Sequence, residues 1–407
     1  MRDISVTRVV IKIGTNTICG DDGKVDSAYL DSIARQVIEL ERMGVQSIIV
    51  TSGAIGSGSS ELGLDDLQKD IPHKQACAAV GQAALMLTYR EVFQRHGRSV
   101  GQLLLTYNAF SDRKVYLNLR KTVDALFELG VIPIVNENDV ISTDEIGDTF
   151  GDNDKLSALV ASKVDADLLI LLTDVDGLYD RNPETDRDAR FIDTVDEITK
   201  DIELMAGDGR SGRSKGGMKS KINAARIAMG SGCNAVIANG RERDVILRVV
   251  RGENVGTLFS AKALYTNRER WILYAIPRGK ITVDAGAEEA LKDEGSLLPC
   301  GITAVEGRFK AGDVVRLGTF AKGVVNFASG EIMQLKAQCE KEKRSNGNGK
   351  VHNDSVVVDH RHTYEMEQEL GLLTAGAGGG VGTAVEAADR ATVGDGAAAA
   401  AGPVTVH

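Results

Sequence analysis

Residues 151–183, Gly-Asp-Asn-Asp-Lys-Leu-Ser-Ala-Leu-Val-Ala-Ser-Lys-Val-Asp-Ala-Asp-Leu-Leu-Ile-Leu-Leu-Thr-Asp-Val-Asp-Gly-Leu-Tyr-Asp-Arg-Asn-Pro, constrain the fold more than any other stretch. Asp152, Asn153 and Asp154 are short polar residues that favour a helix N-cap, and Leu156, Leu159 and Val160 follow at helical spacing. Residues 168–172 are apolar without alternation, as in a strand buried on both faces, and the run stops at Thr173-Asp174. A carboxylate at the end of such a strand points at a ligand crevice. The unit therefore offers a polar helix start on one side and an acidic strand end on the other, which suits two substrates meeting between them.

The rest of the first 260 residues repeats this grammar. Residues 8–13 read as a buried strand carrying Lys12, followed by Gly14-Thr15-Asn16-Thr17, where a glycine lets backbone N–H groups turn toward a phosphate. A plain strand-end turn with a surface lysine fits the same residues. Asp26 or Ser27 caps a helix with Leu30, Ile33, Ala34, Val37 and Ile38 on its buried side, and Gly44 ends it. The strand 47–50 leads into Thr51-Ser52-Gly53-Ala54-Ile55-Gly56-Ser57-Gly58, a loop able to approach an anion closely. It is not a P-loop, because no Gly-Lys-Ser/Thr follows, and it lacks the Gly-x-Gly-x-x-Gly spacing of a dinucleotide site. A helix over 74–96, a strand over 100–105 and a helix over 114–129 come next. The strand 131–135 then ends at Asn136-Glu137-Asn138-Asp139, a second acidic strand end or a capped turn.

Beyond the opening stretch, 193–204 is a connection and 207–217 a glycine-rich loop with Arg210, Arg213 and Lys215. Met218-Lys219-Ser220-Lys221 opens a helix, and lysines in a first turn oppose the helix dipole unless an anion sits there. The strand 234–238 closes the series. Such alternation implies an α/β three-layer sandwich with a mostly parallel sheet, and Lys12, Ser52, Asp139 and Asp174 all fall at carboxyl ends of its strands.

Composition fits that fold: 43% hydrophobic residues can fill its core, and 407 residues allow about two or three domains. A net charge of −10 argues against non-specific nucleic-acid binding, which needs a positive field. Cys19, Cys77, Cys233, Cys300 and Cys339 are scattered, contain no Cys-x-x-Cys pair and favour a reducing, cytoplasmic setting. No signal peptide precedes the first strand and no run approaches the roughly 20 apolar residues of a membrane span, so no membrane association is expected.

Six motifs now stand in order: Lys-Ile-Gly-Thr-Asn at Lys12, Thr-Ser-Gly-Ala-Ile at Thr51, Asn-Glu-Asn-Asp at Asn136, Gly-Asp-Asn-Asp-x-Leu-Ser-Ala at Gly151, Leu-Leu-Thr-Asp-x-x-Gly-Leu-Tyr at Leu171 and Gly-Gly-Met-x-x-Lys at Gly216. Together they resemble the amino acid kinase family, most closely its glutamate-phosphorylating branch, over nearly all of residues 8–260. Lys215 departs from the pattern, where the family more often has Thr. The resemblance implies transfer of the γ-phosphoryl of ATP to the side-chain carboxylate of L-glutamate, the first step of proline biosynthesis. It implies Lys12, Lys221 and Asp154 as catalytic residues, the lysines gripping the phosphoryl and Asp154 orienting them. Ser52, Asp139 and Asn153 then bind glutamate, Asp139 taking its ammonium group. Contacts to ATP fall to Lys12, Gly14, Thr173, Asp174, Lys215, Gly216, Gly217, Met218, Lys219, Ser220 and Lys221. Mg²⁺ is expected to accompany ATP through phosphate and water ligands, with no protein metal ligand. Feedback inhibition by L-proline and a homo-oligomer, dimer or tetramer, also follow from the family. The alternatives are another acceptor on the same fold, N-acetylglutamate or aspartate, and a non-catalytic RNA-binding regulator. Asp139 argues for a free ammonium group, which an acetylated acceptor lacks, and the opposed lysines argue for catalysis.

Residues 1–260 thus read as the catalytic domain and 261–275 as a linker. From Ile276 turns at Arg278-Gly279, Gly286, Gly295, Gly301, Gly307 and Gly312 separate short apolar segments, so a small β-rich domain is expected over 276–362. Gly295-Ser-Leu-Leu-Pro-Cys-Gly-Ile302, Val305-Glu-Gly-Arg-Phe309 and Gly312-Asp-Val-Val315 resemble a PUA domain. Arg308, Lys310 and Arg316 are interspersed with Asp293, Glu294, Glu306 and Asp313, so no basic stripe marks an RNA partner. Residues 339–354 read as a polar insertion. Residues 363–407 read as a low-complexity tail, which from Ala375 is mostly Ala, Gly and Val without period and cannot offset its ordering entropy.

Overall fold

The computed structural model describes residues 1–20, 23–64, 70–141, 153–183, 185–205, 217–262, 265–293, 295–345 and 356–365. Lys215 and Gly216, residues 346–354 of the expected insertion and the tail from 366 lie outside them.

The strands follow in chain order as β1 (Arg8–Ile13), β2 (Gln46–Val50), β3 (Ser99–Leu105), β4 (Val131–Glu137), β5 (Leu168–Thr173), β6 (Leu178–Tyr179), β7 (Phe191–Ile192), β8 (Thr194–Val195), β9 (Asn234–Asn239) and β10 (Thr257–Phe259). Apart from the β6–β7 pair they form one sheet in the order β3-β4-β2-β1-β5-β9-β10-β8. Its neighbours are parallel except β9 and β10. The strand 234–238 is therefore not the last of the series. β10 has only three residues, too few to show a period.

Nine α-helices accompany this sheet among the described residues: α1 (Thr15–Ile18), α2 (Ser27–Arg42), α3 (Ala54–Leu62), α4 (Ile71–Arg95), α5 (Arg113–Glu128), α6 (Asn153–Lys163), α7 (Lys200–Met205), α8 (Met218–Gly230) and α9 (Val245–Val250). Asp26 caps α2 by accepting from the Ala28 and Tyr29 N–H groups, and α2 buries Leu30, Ile33, Ala34, Val37 and Leu40. All of β5 is buried, each Leu or Ile contributing roughly 1.5–3 kcal/mol by leaving water. Along β1, Val9, Ile11 and Ile13 join an apolar cluster with residues of α2, α4 and α9. Val10 and Lys12, one step out of phase, face the other side, where α6 packs on β1 and β5. The period of the strand is what aims Lys12 at α6.

The anion loop expected over 51–58 is shorter than its glycines suggest. Gly53 turns the chain at φ 99°, and α3 begins at Ala54. A Cβ on Gly58 would lie 1.9 Å from the Cys77 carbonyl oxygen, and one on Gly81 would lie 1.9 Å from that of Ala54. These glycines let α3 and α4 touch backbone to backbone.

The C-terminal part contains α10 (Asn267–Tyr274), β11 (Gly279–Val283), α11 (Ala285–Lys292), β12 (Ile302–Gly307), β13 (Val314–Leu317), β14 (Ala321–Val325), α12 (Ser329–Ser345) and β15 (Val358–Glu365). A smaller sheet runs β12-β11-β13-β14-β15 over a core that includes Ile281, Leu297, Ile302, Val315, Leu317 and Val325. Three expectations change here, the first being that residues 363–365 of the expected tail belong to β15 and pair with β14. The stretch 261–275 is no bare linker: Thr266 and Glu269 form a capping box that starts α10, and Trp271, Ile272 and Ala275 pack with Val314 and Val324. The polar insertion begins later than Cys339, because residues 339–345 continue α12, and Cys339 forms a disulfide with Cys300, the Cα atoms 5.6 Å apart. Cysteines 39 residues apart show no spacing signal, since the fold alone brings them together. Among the described residues no helix is long and apolar enough to cross a membrane.

Candidate active site

Because the strands around β1 run parallel, their carboxyl ends share one edge, and the register sets Lys12 beside Val50 of β2 and Leu171 of β5. The first turn of α6 meets this edge with Asp154, which is fully buried. Lys12 Nζ lies 2.5 Å from Asp154 Oδ1, and Lys221 Nζ, from the first turn of α8, lies 3.2 Å from Oδ2. The Ser220 hydroxyl donates to the same Oδ2 at 2.7 Å. Burial alone raises the Asp154 carboxyl, but Lys12 and Lys221 outweigh it and hold the group below the usual carboxylate range, ionised at neutral pH. Both lysines are themselves buried, so two cations share one anion away from water. Lys221 also bears electrostatically on Asp174, and the two fixed ammonium groups offer positive ends to an incoming anion.

Next to Asp154, Asn153 donates Nδ2 toward the Thr51 carbonyl at 2.6 Å, Asn136 Oδ1 at 2.9 Å and Ser52 Oγ at 3.1 Å. These partners fix the amide orientation, since a carbonyl can only accept and Asn136 Oδ1 also accepts from the Glu137 N–H. Asn153 Oδ1 is left buried without a hydrogen-bond partner among the described residues. An unmet buried acceptor costs about 1–3 kcal/mol, which a donor on a ligand would relieve. The cluster is braced from α4: Asn136 donates to Gln82 Oε1 at 2.7 Å and the Tyr89 hydroxyl to Thr51 Oγ1 at 2.9 Å. Two residues past β4, Asp139 is buried, and desolvation followed by the charge of Glu137 pushes it up to about 7. A cation beside Asp139 would reverse that shift.

On the other flank, the Thr173 hydroxyl donates to Asp174 Oδ1 at 3.0 Å and Asn16 Nδ2 to Oδ2 at 3.3 Å. Partial burial opposes ionisation of Asp174, but the hydrogen bonds from Asn16 and Thr173 hold it below the usual carboxylate range. Gly14 lies against the lysine head: a Cβ there would sit 3.5 Å from Lys12 Nζ. Gly217 caps α8, and Met218 to Lys221 form its first turn, with Lys219 exposed.

The structure thus brings Lys12, Asp154, Ser220 and Lys221 together, and separately Ser52 and Asn153, with Thr173 and Asp174 at the end of β5. Lys219 stands apart from the buried cluster. Sequence reasoning missed Gln82 and the Thr51 carbonyl, since a glutamine in mid-helix and a main-chain acceptor leave no pattern. The polar run at Asn136 was the one available sign of the brace. No three His, Cys, Asp or Glu side chains gather into a metal site among the described residues. Both Asp154 oxygens face ammonium groups.

The chain is similar to known proteins along most of its length. The amino acid kinase family matches residues 7–239 and the PUA domain residues 279–344. A glutamate 5-kinase of Methanosarcina mazei is 50% identical over 343 residues, which cover 81% of this chain and 89% of that protein. One from Dehalococcoides mccartyi is 42% identical over 373 residues, covering 88% of this chain and 100% of that protein. One from Caldanaerobacter subterraneus is 42% identical over 367 residues, covering 87% and 98%.

Proposed function

The chain belongs to the amino acid kinase family, closely related to glutamate 5-kinases, and on that ground we propose that it transfers the γ-phosphoryl of ATP to the side-chain carboxylate of L-glutamate. The product is the acyl phosphate with which proline biosynthesis begins. The observation that carries this reading is the pair of buried lysines held on the single carboxylate of Asp154. Phosphoryl transfer asks a protein chiefly for positioning and for neutralisation of charge on the transferring group. Lys12, from β1, and Lys221, from α8, approach that group from two elements, and Asp154 holds both ammonium groups in place. Two cations matter because donor and acceptor are both anions and repel each other.

Glutamate takes the other half of the site. Asp139 receives its ammonium group, and Asn153 Oδ1, the unmet acceptor, takes a second N–H of the same group. Ser52 and the backbone at Gly53 serve its carboxylates. Gly14, Thr173, Asp174 and the segment from Lys215 to Lys221 hold the nucleotide, to which Mg²⁺, when bound, would supply further charge neutralisation. Inhibition by L-proline and assembly into a homo-oligomer extend the same reading, and a proline titration and light scattering check them.

The test supplies the full chain with ATP, Mg²⁺ and one acceptor at a time, with hydroxylamine to trap an acyl phosphate as its hydroxamate. Glutamate should give hydroxamate and ADP together, with N-acetylglutamate and aspartate far behind. Hydroxamate from aspartate alone would overturn the assignment.

A further inference from the structure

Arg270, on α10, ties together the far ends of the two helices whose first turns carry Asp154 and Lys221. Its Nη1 donates to the Ser162 carbonyl in the last turn of α6 at 2.9 Å and to the Ser231 carbonyl, the C-cap of α8, at 3.2 Å. Its Nη2 donates to Asp165 Oδ1 at 3.2 Å, and the Ser231 hydroxyl donates to Ser162 Oγ at 2.9 Å. The last carbonyls of a helix have no partner within it and carry partial negative charge, so one buried cation bridging two such ends fixes the offset between the helices. At about 1.5 Å per residue, Ser162 lies roughly 12 Å along α6 from Asp154, and Ser231 roughly 15 Å along α8 from Lys221. The two helices pack side by side, so a slide at their far ends becomes a change of spacing at their near ends.

We infer that Arg270 is a positioning residue for phosphoryl transfer, setting the approach of Lys221 to Asp154 from the opposite ends of α6 and α8. The inference rests on the kinase reading above. α10 is itself held by the C-terminal domain: Lys322 Nζ, on β14, donates to the Leu273 and Ala275 carbonyls at 2.6 and 2.8 Å. That domain thereby reaches α6 and α8 through α10, with the Arg270 guanidinium bonded to both helix ends and the Tyr274 hydroxyl to the Ile227 carbonyl of α8 at 3.4 Å.

The experiment compares the full-length chain with Arg270→Ala, Arg270→Lys, Lys221→Ala and the double variant Arg270→Ala/Lys221→Ala, well below each melting midpoint. Arg270→Ala should lower kcat by at least about tenfold with the glutamate KM within about twofold, the signature of a misplaced reacting group. Arg270→Lys, able to reach one carbonyl but not both, should fall between. In the Lys221→Ala background, Arg270→Ala should cost less than about twofold more, because the group it positions is gone. A near-wild-type kcat for Arg270→Ala, or the same loss in both backgrounds, overturns the inference. If Arg270→Ala does not fold, Arg270→Lys decides: a kcat loss of about threefold or more at constant KM supports positioning, and a wild-type kcat overturns it. A wild-type chain that makes no acyl phosphate would instead overturn the kinase reading itself.

Discussion

Asn153 and Lys221 both stand in the first turn of a helix, yet they bear on different stages of the reaction. Asn153 offers a fixed acceptor to the bound amino acid, so Asn153→Ala should mainly raise the glutamate KM and leave kcat at saturation less affected. The Lys221 charge matters most while the phosphoryl is in flight, so Lys221→Ala should lower kcat by roughly a hundredfold. Lys221→Arg should rescue poorly, since a planar fork does not replace a compact ammonium. Circular dichroism establishes that each variant is folded before its kinetics are compared. Asp139 adds a pH dependence whose sign follows from its burial. With the carboxyl pushed up to about 7, the ionised form that pairs with ammonium is lost as pH falls below that value. The glutamate KM should therefore climb by about tenfold per pH unit in that range, and Asp139→Asn should flatten the profile. A wild-type KM that stays level from about pH 8 to about pH 6 would remove Asp139 from the ammonium site. At this scale Lys12, Asp154 and Lys221 were legible in the sequence because each stands at a strand end or a helix start. Arg270 was not, because it acts on main-chain carbonyls whose positions only the fold supplies.

Helix α3 shows how glycines can mislead about an element. Glycines after a strand resemble an anion loop, but Gly58 answers to the backbone of α4, and Gly81 of α4 answers to α3. Gly81→Ala must push the Ala54 carbonyl away, at a cost of about 1–3 kcal/mol or more, and α3 begins directly after Ser52 and Gly53. The expected result is a melting midpoint lowered by several degrees together with a raised glutamate KM. Gly330→Ala, in α12 with open space around it, should be neutral or stabilising in the same assay. Equal behaviour of the two variants would contradict the close-packing account. β5 and α2 were readable because a buried strand and an amphipathic helix print their periods on the chain. α10 was not, since its eight residues owe their burial to Val314 and Val324, far along the sequence.

For the molecule as a whole, every motif of the site lies before residue 260, which taken alone predicts that a chain cut there keeps its full chemistry. The packing of α10 changes that expectation. Removing everything after Ser260 takes away Arg270 and leaves the carbonyls of Ser162 and Ser231 without its guanidinium. Such a chain should melt several degrees lower and turn over more slowly than the full chain, whereas undiminished kcat would show that the C-terminal domain has no hold on the site. The central claim is that a carboxylate oxygen of glutamate, not water, attacks the γ-phosphorus between Lys12 and Lys221. Its most direct measurement uses the intact chain, ATP, Mg²⁺ and glutamate labelled with ¹⁸O in its side-chain carboxylate. The acyl phosphate cyclises through its own amine and expels phosphate with the bridging oxygen attached. Inorganic phosphate carrying a single ¹⁸O is the result expected, and unlabelled phosphate, the mark of attack by water, would contradict it.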